Sequence, residues 1–260
     1  MFYIYHMEFF VHKGSIVRRI WGKGDTVLFI FAGASAEFAL NKAVDWLYFT
    51  GRLPADPLGR LFSTVTYARQ IVFSSTEDAN RAIDKISAIH SAVETSRGAK
   101  IPDWAYRDVL FMLIHYSQAS FELLERKMTD AEKEDLFDVF YRMGTRMGLK
   151  AMPASYTEWV TVRDEHMQQD LQKGHYTVDL YKQYRKHLGG VRYWLLKESQ
   201  KLVVPPIANQ MLKLGRFSWI TPVLFVYKLS RSVKLDWFLK SLVLPQAYKK
   251  QIKDLDILPS

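Results

Sequence analysis

The chain has 260 residues, 48% hydrophobic and 14% aromatic, enough apolar material for one sizeable core, which excludes disorder as its global state. It contains no cysteine, and this removes disulfides, thiolate metal sites, iron–sulfur clusters and cysteine nucleophiles together. The net charge of +9 is unevenly placed: from Lys182 to Lys253 there are 15 Lys/Arg against two acids, Glu198 and Asp236.

The N-terminal residues are apolar and aromatic but lack a basic n-region, an apolar h-region run and a small-residue cleavage site. The expectation is therefore a chain without a secretory signal, with Met7 as an alternative start. No stretch approaches the roughly 20 uninterrupted apolar residues of a spanning helix. Val203 to Tyr227, the longest candidate, is broken by Pro205, Pro206, Lys213, Arg216 and Pro222. These features predict a cytoplasmic protein. The basic C-terminal third, interleaved with Trp219, Tyr227, Trp237 and Phe238, suits contact with a membrane surface. No nucleic-acid-binding motif accompanies the positive charge, and no nucleic-acid partner is expected.

Ile16 to Trp46 reads as helix, with Asp25-Thr26 capping a run that includes Val27, Leu28, Phe31 and Leu40. Within it Gly33-Ala34-Ser35-Ala36 is a small-residue stretch that lets another helix approach closely. It is no nucleophile elbow, because Glu37 stands where a second glycine belongs and no strand precedes it. After the break at Gly51 and Pro54, Asp56-Pro57 starts a helix in the manner of a capping Asp followed by Pro at the first helical position. Its apolar face is Leu58, Leu61, Phe62, Val65, Ala68 and Val72. Arg60 and Thr64, at i and i+4, adjoin that face and can act on one group.

Ser74-Ser75-Thr76 ends this helix and caps the next, whose stripe is Ala79, Ala82, Ile83, Ile86, Ile89, His90 and Val93. A lone His on such a stripe is usually a hydrogen-bonded core residue, and otherwise a ligand or catalyst. Gly98 and Pro102 lead to a long helix from Asp103 to Arg126, with His115 among Phe111, Ile114 and Ala119. Thr129-Asp130-Ala131-Glu132 is a capping box opening a helix that stops at Gly148. Further helices are expected from Tyr156 to Leu171 and from Thr177 to Gly189-Gly190, then between Pro205-Pro206, Pro222 and Pro245. No segment alternates with period two. The prediction is an all-α fold, one multi-helix domain over residues 1–260 without internal repeats.

Internal histidines in a helical protein raise the question of metal. Paired Glu-x-x-His sequences, which a carboxylate-bridged di-iron site needs, are missing: the residues three before His90, His115, His166, His175 and His187 are Ser87, Met112, Arg163, Gln172 and Tyr184. No HExxH occurs either. A haem asks for less, namely one neutral imidazole on an apolar helix with cationic or hydroxyl groups nearby. His90, Arg60 and Thr64 supply those types.

Several segments in order carry a family resemblance: Phe31-Ala32-Gly33, Asp56-Pro57-Leu58-Gly59-Arg60-Leu61-Phe62-Ser63-Thr64, Ile71-Val72-Phe73, Ile89-His90-Ser91-Ala92-Val93, Leu113-Ile114-His115, Met147-Gly148-Leu149 and Met152-Pro153-Ala154-Ser155-Tyr156. Over roughly residues 16–175 the chain resembles the rubber oxygenase (latex clearing protein) and MpaB oxygenase family. The resemblance implies a globin-like helical fold binding haem b, with His90 as proximal iron ligand and Arg60 and Thr64 at the haem pocket. His115 is the alternative ligand or a neighbour of the true one. It also implies dioxygen or peroxide as oxidant and a hydrophobic, isoprenoid-like small molecule as substrate. The chain departs from the family in having Ser63 where rubber oxygenases have a lysine that can cap the iron. Asp45 lies only near the place of the acidic residue credited with base chemistry. The competing expectation is a non-enzymatic helical binder of apolar ligands or anionic membrane surfaces, built on the same fold without its cofactor.

Overall fold

The computed structural model describes residues 8–230. Met7, the break at Pro245, the basic run beyond Ser230 and the side chain of Leu61 lie outside the described residues. Twelve helices and no strand are found among the described residues, with only isolated bridges at Phe9–Ser75 and Asn41–Leu171. The all-α reading is borne out.

The fold is arranged around α2 (Gly24–Phe38), which is buried on nearly every side: twelve of its residues, from Gly24 to Glu37, are buried. Helices apolar all round belong in a core, and this one is wrapped chiefly by α7 (Asp103–Leu124) and α10 (His175–Val203). The close approach of α7 depends on Gly33. A Cβ built there would lie 2.1 Å from the ring of Tyr116. The hydroxyl of Ser35, next along, donates to the Ala32 carbonyl at 2.8 Å and accepts from Gln200 Nε2 of α10 at 3.0 Å. Tyr184, also on α10, donates to the Ser35 carbonyl at 3.2 Å. The small-residue run is thus a packing surface for two helices.

The expected helix over Ile16–Trp46 is three: α1 (Ile16–Trp21), α2 and α3 (Val44–Phe49). Gly22 and Gly24 favour the first break. At the second, Asn41 Oδ1 accepts from the Ala43 amide at 2.7 Å, a side-chain mimic of a turn that competes with helix. Asp25 is not the cap, since Lys23 holds that position. Asp25 sits in the first turn and accepts from Tyr227 at 2.8 Å. After the short α4 (Arg52–Ala55), Asp56 caps α5 (Pro57–Phe73) through the Gly59 amide at 2.8 Å. Ser75 caps α6 (Thr76–Arg97), and Gly98 closes that helix at φ 68°.

The reciprocal capping box of Thr129 and Glu132 opens α8 (Asp130–Arg146), and α9 spans Tyr156–Gln169. The helix end expected at Gly189-Gly190 is found as an interruption of α10: Gly189, at φ 73°, leaves the helical conformation, and a second helical stretch follows at an angle to Val203. α11 (Pro206–Leu212) and α12 (Thr221–Ser230) complete the described chain.

The stripe on α6 is only half used. Ala79, Ala82 and Ile83 are buried, but Ile89 is 40% exposed and His90 sits half-buried at the margin.

Gly33→Ala should destabilise the protein by about 1–3 kcal/mol or more, because a methyl group there overlaps a fully buried ring. Gly98→Ala, in open space but at positive φ, should cost only about 1–2 kcal/mol. Urea unfolding of the two variants checks this. A Gly33→Ala protein as stable as the parent would contradict the tight α2–α7 seam.

Candidate functional site

Asp56 with Pro57 fixes the first turn of α5. Arg60 and Thr64 therefore project on one side, one turn apart. They line a pocket whose other walls are mostly apolar: Phe31 and Phe38 of α2, Leu47 of α3, Val109 and Met112 of α7, with Ser35 and, at the α10 side, Tyr184. The cavity itself is small, about 80 Å³, but its apolar walls with few polar groups are the composition of small-molecule sites. Thr64 also donates to the Arg60 carbonyl at 3.2 Å. Ser63, the residue standing in place of the family's lysine, turns its hydroxyl back to that carbonyl at 2.9 Å.

His90 is on α6, which packs along α5. It does not line the pocket but stands beside it, its ring 5.0 Å from that of Tyr106, one turn before Val109 of the pocket wall. Burial lowers the imidazole pKa, and the nearby charge of Arg60 lowers it further against the opposing pull of Glu94. The ring is thus held neutral near pH 7, and its buried Nδ1 has no hydrogen-bond partner. A neutral imidazole with an unengaged nitrogen is the state that metal ligation requires. Glu94, one turn on, accepts from Tyr106 at 3.1 Å, from the Ile101 amide at 2.9 Å and from Lys100 at 2.8 Å. Those bonds fix Tyr106 against His90.

The structure does not bring His115 to this group. His115 lies half-buried on α7 outside this group, its pKa depressed to about 4 by desolvation first and the charge of Arg163 second, while Glu37 and a backbone bond to Val203 oppose the shift. Asp45 is engaged as well: Arg97 pairs with it at 2.6 Å and stacks on Trp46 at 4.0 Å. Among the described residues no three His, Asp or Glu side chains converge as metal ligands.

Sequence reasoning missed the cluster in which His115 takes part. Arg163 of α9 donates to Glu37 of α2 at 2.5 Å and to Asp108 of α7 at 3.2 Å. Tyr116 donates to Glu37 at 2.8 Å, and Asn41 to the second oxygen of Asp108. His166 bridges Asp108 and Asp170, the latter at 2.5 Å. Burial opposes the charge on Glu37, yet Arg163 and Tyr116 outweigh it and hold that carboxyl below its usual range. Burial and the charge of Glu37 push Asp108 up despite His166 and Arg163. His166 itself is raised: burial works against its proton, but Asp108 and Asp170 prevail. The one sequence signal was the i, i+3 spacing of Arg163 and His166, polar residues on what is otherwise an unremarkable surface helix.

Among the described residues, helices alone frame an apolar pocket lined by Arg60 and Thr64, with His90 beside it. The sequence profile described as ER-bound oxygenase mpaB/B'/Rubber oxygenase, catalytic domain, matches residues 18–231, and the chain belongs to that oxygenase family. The match covers the stretch up to residue 175, where the resemblance is strongest, and continues through the looser C-terminal part to take in α10, α11 and α12. No curated protein and no solved structure matches the chain significantly.

Arg163→Met should cost about 3–5 kcal/mol, since Glu37 and Asp108 would stay buried without their cation. The triple change Glu37→Gln, Asp108→Asn, Arg163→Met should recover much of that loss in urea unfolding. His166 has a raised folded pKa, so its contribution is complete below the ordinary imidazole value of about 6.5 and is lost as pH rises through the folded value. The difference in melting temperature between the parent and His166→Gln should therefore shrink above neutral pH. A difference that grew with pH would contradict the bridge.

Proposed function

We propose that the chain is a haem-b-dependent oxygenase that acts on a hydrophobic small molecule with dioxygen or peroxide. What supports this reading, beyond family membership, is one juxtaposition: Arg60 and Thr64 on an apolar pocket, beside a neutral His90 whose Nδ1 is unengaged. The donor set fits haem. A single imidazole would ligate the iron, and the Arg60 guanidinium would hold a propionate. The globin-like arrangement, and the assignment of the whole chain to one catalytic domain, belong to the same reading.

When bound, the haem would supply the electron chemistry of oxygen activation, which no side chain here can perform. The protein's part is positioning. Tyr106, tied to Glu94, keeps the His90 ring oriented. Burial and Arg60 keep that ring unprotonated, leaving a lone pair on one nitrogen. Thr64, whose hydroxyl proton goes to the Arg60 carbonyl, offers acceptor lone pairs one turn from Arg60. Phe31, Phe38, Val109 and Met112 orient an apolar substrate and exclude water. Ser63 carries no charge and is directed to the helix backbone, so this chain has no lysine cap at that position, and rubber-like cleavage is not assigned to it. An isoprenoid-like compound of modest size is the substrate class that suits the pocket walls.

Protein purified and reconstituted with haemin should show a Soret band. His90→Ala should abolish or shift it, His115→Ala should leave it in place, and Arg60→Leu should weaken haem retention roughly tenfold or more, the loss expected for one charge-assisted hydrogen bond. Absence of the band in the parent protein would overturn the haem reading in favour of a cofactor-free binder of apolar ligands. Loss of the band in His115→Ala alone would move the ligand to the α7 histidine.

A further inference from the structure

The segment joining α11 to α12 exposes more apolar surface than any use so far explains. Phe217 is 59% exposed and Trp219 68%, their rings 5.2 Å apart and nearly perpendicular. Between them Ser218 is buried, as is the Glu198 of α10 that holds the segment in place. Ser218 donates to the Glu198 carbonyl at 3.0 Å, and the Glu198 carboxylate accepts from the Trp219 amide at 2.7 Å and from Lys201 at 2.6 Å. At the near end Asn209 donates to the Gly215 carbonyl at 3.1 Å, where Gly215 adopts φ 96°.

The polar middle of the loop is thus pinned inward at both ends, and its two aromatic side chains are aimed outward. α12 continues the pattern: Tyr227 turns in to Asp25, while Val223 and Phe225 are 52% and 67% exposed. Exposed Lys213, Arg216 and Lys228 lie along the same segment, and no Asp or Glu occurs between Glu198 and Asp236.

We infer that this aromatic and basic segment, Lys213 to Lys228, is a docking surface for an anionic lipid bilayer. Phe217, Trp219 and Phe225 would enter the headgroup region, where amphipathic aromatic rings partition, and the bases would meet lipid phosphates. Charge decides the occupant. An acid-free run with three exposed bases matches a negatively charged, fluid surface. A second copy of the chain would bring like charge against like charge. The contact proposed is peripheral, since no helix among the described residues is long and apolar enough to cross a membrane.

The test uses the full chain and sedimentation with vesicles of phosphatidylcholine alone or with about 30 mol% phosphatidylserine, a composition that gives a negative surface potential. The parent should partition onto the anionic vesicles and fall off at high salt. Trp219→Ser with Phe225→Ser, and separately Lys213→Glu with Arg216→Glu, should each lower partitioning roughly tenfold while melting as the parent does. Three results would overturn the inference: no partitioning of the parent onto anionic vesicles, undiminished partitioning of both variants, or a concentration-dependent dimer in sedimentation velocity that Trp219→Ser with Phe225→Ser abolishes. The readout is independent of haem, so the failure of one reading leaves the other standing.

Discussion

Everything in this molecule depends on how closely α7 can lie against α2. Gly33 gives the Tyr116 ring its place, and the same ring donates from its hydroxyl to Glu37, one turn further along α2. Packing and electrostatics are therefore coupled at one seam. Close approach buries the Glu37 carboxylate together with Asp108 of α7, and the two draw in Arg163 and with it the α9 helix. A charge removed from water is tolerated only when paired and hydrogen-bonded, so the position of α9 follows from the residue at position 37. The pocket inherits this rigidity, because its walls from Phe31, Phe38, Val109 and Met112 stand on the two helices that the seam locks together.

The pocket's polar edge is built separately, on α5 and α6. Asp56 and Pro57 set the first turn of α5 and thereby the direction of Arg60 and Thr64. Glu94 and Tyr106 set the orientation of His90. The arrangement divides labour: a rigid apolar wall to exclude water, and a small polar edge whose charges are tuned by one another. Arg60 contributes twice, as a cation at the pocket and as a field that keeps His90 neutral.

The helices and most of their caps were legible because they are written in local chemistry. Asp56-Pro57, Ser75 and the Thr129–Glu132 box each satisfy amides within their own first turn, and the i, i+4 pairing of Arg60 with Thr64 needs only helical geometry. The interruption at Gly189 was legible as a glycine pair, whereas the break near Asn41 was harder. It is a choice between helix and an alternative turn, and the choice is made by tertiary contacts such as the Gln172 amide on the Leu40 carbonyl at 2.6 Å. The α6 stripe overstated burial for the same reason, since periodicity says which face is apolar and not how far along the helix a partner extends. Least legible was the Glu37–Arg163–Asp108–His166 cluster. Its members come from three helices, and nothing local marks a Glu in a small-residue run as the anion an Arg more than a hundred residues away will meet.

The central claim is that His90 provides the imidazole for a haem iron. Replacing His90 by Gly and adding free imidazole tests it most directly, because the added ring can occupy the vacated space without the tether. The account predicts that His90→Gly loses the axial-histidine absorption spectrum of the haemin-loaded protein and that imidazole restores it, with no such loss and rescue in His115→Gly. A His90→Gly protein that keeps the full spectrum without imidazole would contradict it.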